Sequence, residues 1–269
     1  MSTQNFVKSV WSARLIANMY SNMQLYNLGT TRFDGEARFG SQVNIHKPTS
    51  VTVNDYTGTV TYENAASSRV VLNIDKQKYF GFQIPDLVLE QTSQDLNLID
   101  VYTQDAGMKL AEAAEVEIAK LHSSTDIPTG QRLTAVNATF VDQIKAARTL
   151  LNKNNVPAAG RWLVVSPEAG QLLLDAVGTA QYKDSVLVGG AVPTLYGFNI
   201  VESNAIQVAT NVHNCLFGSA AGLAFGGAVE KVRIMELESS FQYGVSGYYS
   251  FGTKVLDPKA IGRIAVTIS

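Results

Sequence analysis

The sequence predicts an α+β protein in which a long β-rich segment precedes a long helix and a mixed C-terminal half. About forty residues, from Val43 to Ile84, largely alternate apolar with polar side chains and are rich in Val and Thr, as in half-buried strands. Residues Thr92 to Ser123 contain no proline and one glycine, Gly107, which favours a single helix. Beyond residue 130, short helical and strand patterns follow one another, so we expect mixed sheets.

The composition indicates a protein whose surface meets other protein. Of the 269 residues, 46% are apolar and 16% are charged, fewer charges than the roughly one quarter usual in globular domains. Burying uncharged polar surface costs less free energy than burying charged surface, so we expect much of this protein's surface to lie in contacts with other protein. The 21 basic and 23 acidic residues nearly cancel, which argues against tight binding of nucleic acid through net charge.

The single cysteine, Cys215, excludes an intrachain disulfide and zinc or redox sites of the CxxC type. The first residues lack the basic and apolar regions of a signal peptide. No apolar run approaches the roughly 20 residues that span a bilayer. These observations predict a protein made in a reducing cytoplasm, without a membrane partner.

The N-terminal third is predicted to contain one helix and an extended arm. The pattern from Phe6 to Tyr26 is compatible with a helix, which Gly29 ends. Turn residues from Asn54 to Gly58 divide the β-rich segment, so we expect two strands of about 12 residues, reaching about 40 Å. Such an arm has too few large apolar residues for its own core, and an isolated hairpin is marginal in water. The arm therefore needs a partner surface.

The long helix from Thr92 to Ser123 would span about 48 Å at about 1.5 Å per residue. Its predicted apolar stripe consists of Leu96, Ile99, Ala106, Leu110, Ala113, Ala114 and Leu121. Glu117 falls inside this stripe and needs a partner there, either Lys120 three residues later or an arginine of another subunit. Glu112, Glu115 and Glu117 together are interpreted as a solvated face and not as a carboxylate cluster that binds metal.

The next segment predicts two further helices around a buried strand. Asn137 is predicted to cap a helix whose apolar positions recur at helical spacing. These positions are Phe140, Ile144, Ala147 and Leu151. Arg161 to Val165 reads as a short buried strand. Ser166-Pro167-Glu168 then starts a third helix, with serine at the N-cap, proline in the first turn and glutamate near the positive end of the dipole.

The remainder of the chain is predicted to be mainly strand. A loop is expected from Gly178 to Pro193 and a strand from Phe198 to Val201. Glycine and small residues dominate after Leu216, and strands follow. The last strand, Ile261 to Ile268, places three side chains on one face, namely Ile264, Val266 and Ile268.

No catalytic, cofactor-binding or metal-binding residue is predicted. His46, His122 and His213 are far apart and form no ligand-spaced pair. Residues 218–222 lack the spacing and the Lys-Ser/Thr ending of a phosphate loop. Ser166 lacks the glycines of a hydrolase elbow and is interpreted as a helix cap, and Cys215 as a small buried side chain. No isopeptide crosslink is predicted for the arm lysines, which are Lys47, Lys76 and Lys78.

Four stretches and their order resemble one family. They are Val51 to Gln94 (through Leu72-Asn73-Ile74-Asp75, Phe82-Gln83-Ile84-Pro85-Asp86 and Gln91-Thr92-Ser93), Arg161 to Pro167, Gly197 to Asn204 and Tyr248 to Pro258. The order of elements along the chain is an N-terminal arm, a long β-loop (the β-rich segment), a long helix and a compact α+β remainder. Together with this order, the four stretches resemble the HK97-like fold of tailed-bacteriophage major capsid proteins. The resemblance covers the chain from about Trp11 to Ile268.

The resemblance implies a domain organisation. The expected parts are an N-terminal arm at 1–39, an extended β-loop at 40–84, a peripheral domain with a spine helix at 85–157, an axial domain at 158–230, and a return to the peripheral domain at 231–269. It also implies inter-subunit contacts through the β-loop, the spine helix and the axial loop. The candidate contact residues are Val51, Val53, Tyr56, Val60, Tyr62, Glu117, Tyr182 and Lys183.

The function that the resemblance implies is a virion shell. Subunits would form hexamers and pentamers that close into an icosahedral head around double-stranded DNA, assembled in the host bacterial cytoplasm. Scaffolding, portal and cement or decoration proteins are the expected partners, with non-specific contact to the packaged DNA. An encapsulin-like nanocompartment shell is the alternative within the fold. A small-molecule enzyme would need converging polar groups, which the sequence does not show, and the long helix disfavours a tail-tube or decoration protein.

Overall fold

The computed structural model describes residues 15, 17–19, 21, 23–30, 40–48, 53–56, 58, 62, 67–85, 97–178, 193–236 and 242–268. In chain order, the first elements are strands β1 (Gln42–Pro48), β2 (Ser67–Asn73) and β3 (Lys76–Pro85), helix α1 (Asn97–Ala119), strand β4 (Arg132–Val136) and helix α2 (Phe140–Lys153). They are followed by β5 (Arg161–Val165), α3 (Pro167–Gly178), β6 (Thr194–Leu195), β7 (Phe198–Glu202), β8 (Val208–Ala209), β9 (Val212–Ser219), β10 (Leu223–Glu236), β11 (Gln242–Val255) and β12 (Ile261–Thr267). The predicted α+β class is confirmed.

The strands form three sheets. β1 and β2 make an antiparallel pair, and β10, β11 and β3 make a three-stranded antiparallel sheet. The largest sheet has the order β4-β12-β9-β5-β7-β6, with β8 paired to β9. Two of its pairs, β12 with β4 and β5 with β7, are parallel and the others are antiparallel, so the sheet is mixed, as predicted.

The largest sheet lies between two apolar layers. Along β5, Trp162 and Val164 pack into the core that contains α1, whereas Leu163 and Val165 pack into the core that contains α2 and α3. Successive side chains of a strand point to opposite faces, so a strand covered on both sides must be apolar throughout. All five residues of β5 are buried, which confirms the prediction for this segment.

Helix α1 confirms much of the predicted stripe. Four of its seven predicted residues are buried, namely Ala106, Leu110, Ala114 and Leu121. The α-helix ends at Ala119 and continues as a 3-10 turn over Lys120–Ser123, so its α-helical part stops four residues earlier than predicted. Leu96 and residues 92–95 lie outside the described residues.

An N-terminal segment packs across α1. Its side chains Leu15, Met19, Met23 and Leu25 are buried in the same core as the helix. At the crossing, a Cβ on Gly107 would lie 3.3 Å from both the Leu15 carbonyl oxygen and the Met19 backbone nitrogen. The glycine in the middle of the long helix therefore allows a close approach of the backbone.

Two helix starts have different outcomes. Ser166 precedes α3, and its Oγ accepts a hydrogen bond from the Ala169 N–H at 3.2 Å, which confirms the predicted cap. The prediction for Asn137 is wrong, because Asn137 lies in a 3-10 turn and α2 begins at Phe140. Thr139 directly precedes α2, but its hydroxyl accepts from the Val136 N–H at 3.1 Å, before the 3-10 turn, and makes no cap hydrogen bond to α2. All four predicted apolar positions of α2 are buried.

The β-rich segment divides between two sheets. β1 and β2 are seven residues each, shorter than the twelve expected. β3 pairs with β11 along ten residues and belongs to the three-stranded sheet. Phe80 and Phe82 of β3 lie on the α1 side, where Phe82 stacks on Tyr102 with 5.4 Å between ring centroids. The last strand is as predicted, with Ile264 and Val266 fully buried and Ile268 packed beside them.

Candidate functional site

The base of the β1–β2 arm is packed firmly against the body. Val43, Ile45, Leu72 and Ile74 are buried and form a small core with Ala224 of β10. At Gly252 of β11 there is no room for a side chain, because a Cβ would collide with the Asn73 carbonyl. Apolar burial and a close backbone contact therefore set the direction in which the arm leaves the body.

An ion pair adds to the arm base. Lys47 Nζ lies 3.0 Å from Asp257 Oδ1, and the Asp257 carboxylate also accepts from the Lys259 N–H at 3.2 Å. The Lys47 side chain is 42% exposed, so solvent screens the pair and its contribution is below about 1 kcal/mol. The packing of the base, and not this ion pair, holds the arm.

The far part of the arm exposes large apolar side chains. Val53 is 94% exposed, Tyr56 77% and Tyr62 90%. Val51 and Val60, predicted for the same contact, lie outside the described residues. The segment that carries these three exposed apolar side chains has no core of its own. Burial of the side chains against another protein would therefore stabilise the contact.

A second group of exposed apolar side chains was missed by sequence reasoning. Val101, Tyr102 and Met108 are 58%, 45% and 41% exposed on α1, and Tyr79 of β3 is 84% exposed. The spacing of Val101 and Met108, seven residues apart, places them on one face of the helix. The sequence feature that could have predicted them is this second apolar stripe, which runs beside the predicted buried stripe of the helix.

Glu117 has a partner within the chain. Its side chain is 14% exposed, and its carboxylate accepts from Lys120 Nζ at 2.7 Å, which confirms the predicted pairing three residues along the helix. Lys109 and Glu112 pair in the same way at 2.9 Å. Contact of Glu117 with an arginine of another subunit stays a prediction, and Tyr182 and Lys183 lie outside the described residues.

Glu115 differs from the solvated carboxylate that the sequence suggested. One of its oxygens accepts hydrogen bonds from the backbone N–H groups of Gln24 and of Leu25, the latter at 2.9 Å. Burial raises the pKa of Glu115, and the two backbone hydrogen bonds offset part of that rise. The carboxylate therefore ties the N-terminal segment to α1. Its two partners are 90 and 91 residues away in sequence, so no local pattern could identify them.

Ser166, His213 and Glu168 come together but do not form a nucleophilic triad. Ser166 Oγ lies 2.8 Å from His213 Nδ1, and Glu168 Oε2 lies 3.7 Å from the same nitrogen. A triad requires the serine and the carboxylate on opposite ring nitrogens. Ser166 is also 2% exposed, so a substrate could not reach it. The group stabilises the start of α3.

Cys215, His46 and His122 were the other residues considered for chemistry. Burial raises the pKa of the Cys215 thiol to about 12, which leaves it protonated and unreactive. His46 is exposed on β1, and His122 Nδ1 lies 2.9 Å from the Ala119 carbonyl at the end of α1. In the described part of the chain, no three His, Cys, Asp or Glu side chains are grouped as metal ligands would be. Among the described helices, none has the length and apolar character needed to cross a membrane.

Comparison with known proteins gives one consistent result. A family model described as phage capsid protein matches residues 69–264, which is more than half of the chain. A structure from Mycobacterium phage Che8 superimposes with a TM-score of 0.71 and 23% sequence identity, covering 90% of each chain. The comparison with curated proteins finds no match.

Two further solved structures share the fold at lower identity. The mature capsid of bacteriophage PhiM1 has a TM-score of 0.66 and 15% identity, over 87% of this chain and 84% of that chain. A virus-like particle from Pyrococcus furiosus has a TM-score of 0.62 and 14% identity, over 96% of this chain and 99% of that chain. At these identities the likeness concerns the fold.

Proposed function

The chain belongs to the phage capsid protein family and is a major capsid protein, and from that premise we propose that it assembles as hexamers and pentamers. These would close into an icosahedral head that encloses double-stranded DNA. The HK97-like fold expected from the sequence is confirmed. The family assigns the protein a structural role in the virion capsid. We further propose that it has no enzymatic activity of its own and that it assembles in the host bacterial cytoplasm.

The observation that carries the proposal is the arm, which is fixed at its base and apolar at its exposed end. Burying about 150 Å² on each of two tyrosines against another subunit would contribute several kcal/mol per contact, at about 25 cal/mol per Å². A rigid base reduces the entropy lost when the exposed end docks. Val51 and Val60 would join Val53, Tyr56 and Tyr62 in this contact.

We propose that the protein has the domain boundaries expected from the sequence. The N-terminal arm is 1–39, the extended β-loop 40–84, the peripheral domain 85–157 together with 231–269, and the axial domain 158–230. In this arrangement Tyr182 and Lys183 would face the local symmetry axis, and Glu117 would lie near a subunit boundary on the spine helix. Supporting this use of α1, its outer face exposes Val101 and Met108.

The proposed partners beyond the protein itself are scaffolding, portal and cement or decoration proteins. Contact with packaged DNA would be non-specific, since the 21 basic and 23 acidic residues leave no net positive charge to attract phosphate. No cofactor and no membrane contact are proposed.

An encapsulin-like nanocompartment remains the second candidate. The same fold occurs in a virus-like particle from Pyrococcus furiosus, over 99% of that chain, and a fold by itself does not fix what a shell contains. The match to the phage capsid family favours the viral function. The content of native particles, a DNA genome or a protein cargo, distinguishes the two.

Assembly of the purified chain tests the proposal. We expect size-exclusion chromatography and negative-stain electron microscopy to show closed shells, or rings of five and six subunits. A monomer or dimer that persists at high concentration and after addition of a scaffolding protein would contradict it. The matched variant replaces Val53, Tyr56 and Tyr62 by serine and should shift the population towards unassembled subunits.

A further inference from the structure

An open cleft lies between α1, the N-terminal segment and the end of β7. Its volume is about 280 Å³, below the roughly 300–1,000 Å³ of pockets that hold drug-sized ligands, which suits one long side chain. Its walls are formed by Gln24, Met108, Glu112, Glu115, Val116 and the segment 202–205. The side chains of Glu112 and Met108 are 64% and 41% exposed, so the cleft can be reached from solvent.

Two carboxylates give the cleft a negative charge. Glu112 is paired with the exposed Lys109 at 2.9 Å. Glu115 uses Oε1 to accept from the backbone N–H groups of Gln24 and Leu25, and none of the described residues donates to its Oε2. None of the described residues that line the cleft is basic. With two carboxylates and one exposed lysine beside them, the cleft attracts a cation and repels an anion.

Apolar surface next to the carboxylates limits the kind of cation. Met108 is partly exposed, Val116 packs against the core of α1, and both side chains line the cleft. An inorganic ion would leave this apolar surface in water, whereas lysine and arginine cover apolar surface with their methylene stems and keep the charged end at polar groups. Arginine fits better than lysine, because its planar guanidinium can donate to two carboxylates at once.

A second copy of the chain can supply this side chain. Met108 belongs both to the cleft and to the outer face of α1, the helix proposed to lie near a subunit boundary. Arg69, Arg148 and Arg233 are exposed, and none of them forms an ion pair with a described carboxylate. The surface of the chain therefore carries guanidinium groups that complement the cleft in charge.

We propose that the cleft binds an arginine side chain from a second copy of the chain. The guanidinium donates to the Glu112 carboxylate and to Glu115 Oε2, and the methylene stem packs against Met108 and Val116. The inference rests on the proposed function, because it requires subunits that meet in a shell.

Titration of the unassembled subunit with a small probe tests the cleft. The probe is Nα-acetyl-L-arginine amide, and the reporter is the methyl resonance of Met108, assigned by its loss in Met108→Leu. We expect a saturable shift with a dissociation constant on the order of millimolar. Nα-acetyl-L-citrulline amide has nearly the same shape without the charge and should bind at least about fivefold more weakly.

Two variants test the role of the carboxylate. Glu112→Gln should weaken binding of the arginine probe about two- to fivefold. Asp142→Asn removes an exposed carboxylate that is paired with a lysine in the same way, but on α2. It is the matched control and should leave the affinity unchanged.

Labelling of a cysteine in the wall of the cleft tests whether a second copy fills it. Gln24→Cys introduces one accessible thiol, because Cys215 is buried, and it leaves both carboxylates in place. Iodoacetamide should modify this thiol at least about tenfold more slowly in assembled shells than in unassembled subunits.

The two measurements can fail separately. Absence of a saturable shift, equal binding of the two probes or an unchanged affinity in Glu112→Gln overturns the cleft as a site for arginine. Equal labelling rates in shells and subunits overturn the second copy as its occupant. Failure of the chain to form shells would contradict the proposed function, whereas the titration needs only the unassembled subunit and tests the cleft independently.

Discussion

At the scale of single residues, three glutamates of α1 show how position determines the role of a charge. Glu112 is 64% exposed and pairs with Lys109, while Glu117 pairs with Lys120 at the edge of the buried face. Glu115, between them, binds the backbone of a segment 90 residues earlier in the chain. The three side chains are chemically the same, so only their neighbours in the fold distinguish them.

Replacing Glu115 by alanine is expected to destabilise the fold by about 1–2 kcal/mol, because two backbone N–H groups lose their acceptor. Urea unfolding at pH 7 measures this loss. Glu112→Ala is the matched control and should change the free energy of unfolding by less than about 0.5 kcal/mol. Equal losses in both variants would contradict the assigned role of Glu115.

The pH dependence of Glu115 follows from the direction of its shift. Because the pKa of Glu115 is raised in the folded state, the folded protein binds its proton more tightly than the unfolded chain does. The free energy of unfolding therefore falls as the pH rises from the ordinary value of 4.5 through the raised value. Glu115→Gln retains an acceptor oxygen and lacks this titration, so we expect it to gain stability relative to the wild type across that interval. If the difference in free energy of unfolding between Glu115→Gln and the wild type does not change with pH, the raised pKa of Glu115 is contradicted.

At the scale of elements, the long helix has two functions that its sequence combines. One face is buried beneath the N-terminal segment and the sheets, and the opposite face exposes Val101 and Met108. Gly107 costs helix propensity, roughly 1 kcal/mol against alanine. The close approach of Leu15 and Met19 explains why a glycine is present in the middle of the helix.

Gly107→Leu is expected to destabilise the protein by about 1–3 kcal/mol, since a large side chain would push the N-terminal segment away from α1. Limited proteolysis should then cleave the N-terminal segment faster than in the wild type. Gln104→Leu, at an exposed position of the same helix, is the control and should leave both measurements nearly unchanged. If both variants behave alike, the close crossing does not explain the glycine.

At the scale of the whole molecule, the body and the arm follow different physical rules. The body buries its apolar side chains in two cores on either side of the seven-stranded sheet. The arm has a small core only at its base and exposes Val53, Tyr56 and Tyr62 beyond it. The body is therefore stable through its own packing, whereas the arm completes its packing only against another subunit.

Replacing Val53, Tyr56 and Tyr62 together by serine should separate folding from assembly. The free energy of unfolding of the unassembled subunit should change by less than about 0.5 kcal/mol, because all three side chains are already exposed. The concentration needed for assembly, measured by light scattering, should rise at least about tenfold, the effect of about 1.4 kcal/mol per contact. Asn54→Ser with Asp55→Ser, on the same loop, is the control. Assembly that is unchanged in the triple variant would exclude this surface from the contact.

The sequence by itself determined those features that depend on neighbours along the chain. Helical spacing identified the buried face of α2, a continuous apolar run identified β5, and a serine before a proline identified the start of α3. Local spacing also identified the pairing of Glu117 with Lys120, and the order of such elements was sufficient to indicate the family.

Only the tertiary structure decided the features that join distant parts of the chain. The sharing of the β-rich segment between two sheets depends on the pairing of β3 with β11, far along the chain. The contacts of Glu115 with the N-terminal segment have the same origin. The period of a side-chain pattern specifies which face of an element is buried. Which residues of the rest of the chain pack against that face is determined by the tertiary structure. A sequence pattern has no information about that choice, because many partners would satisfy the same face.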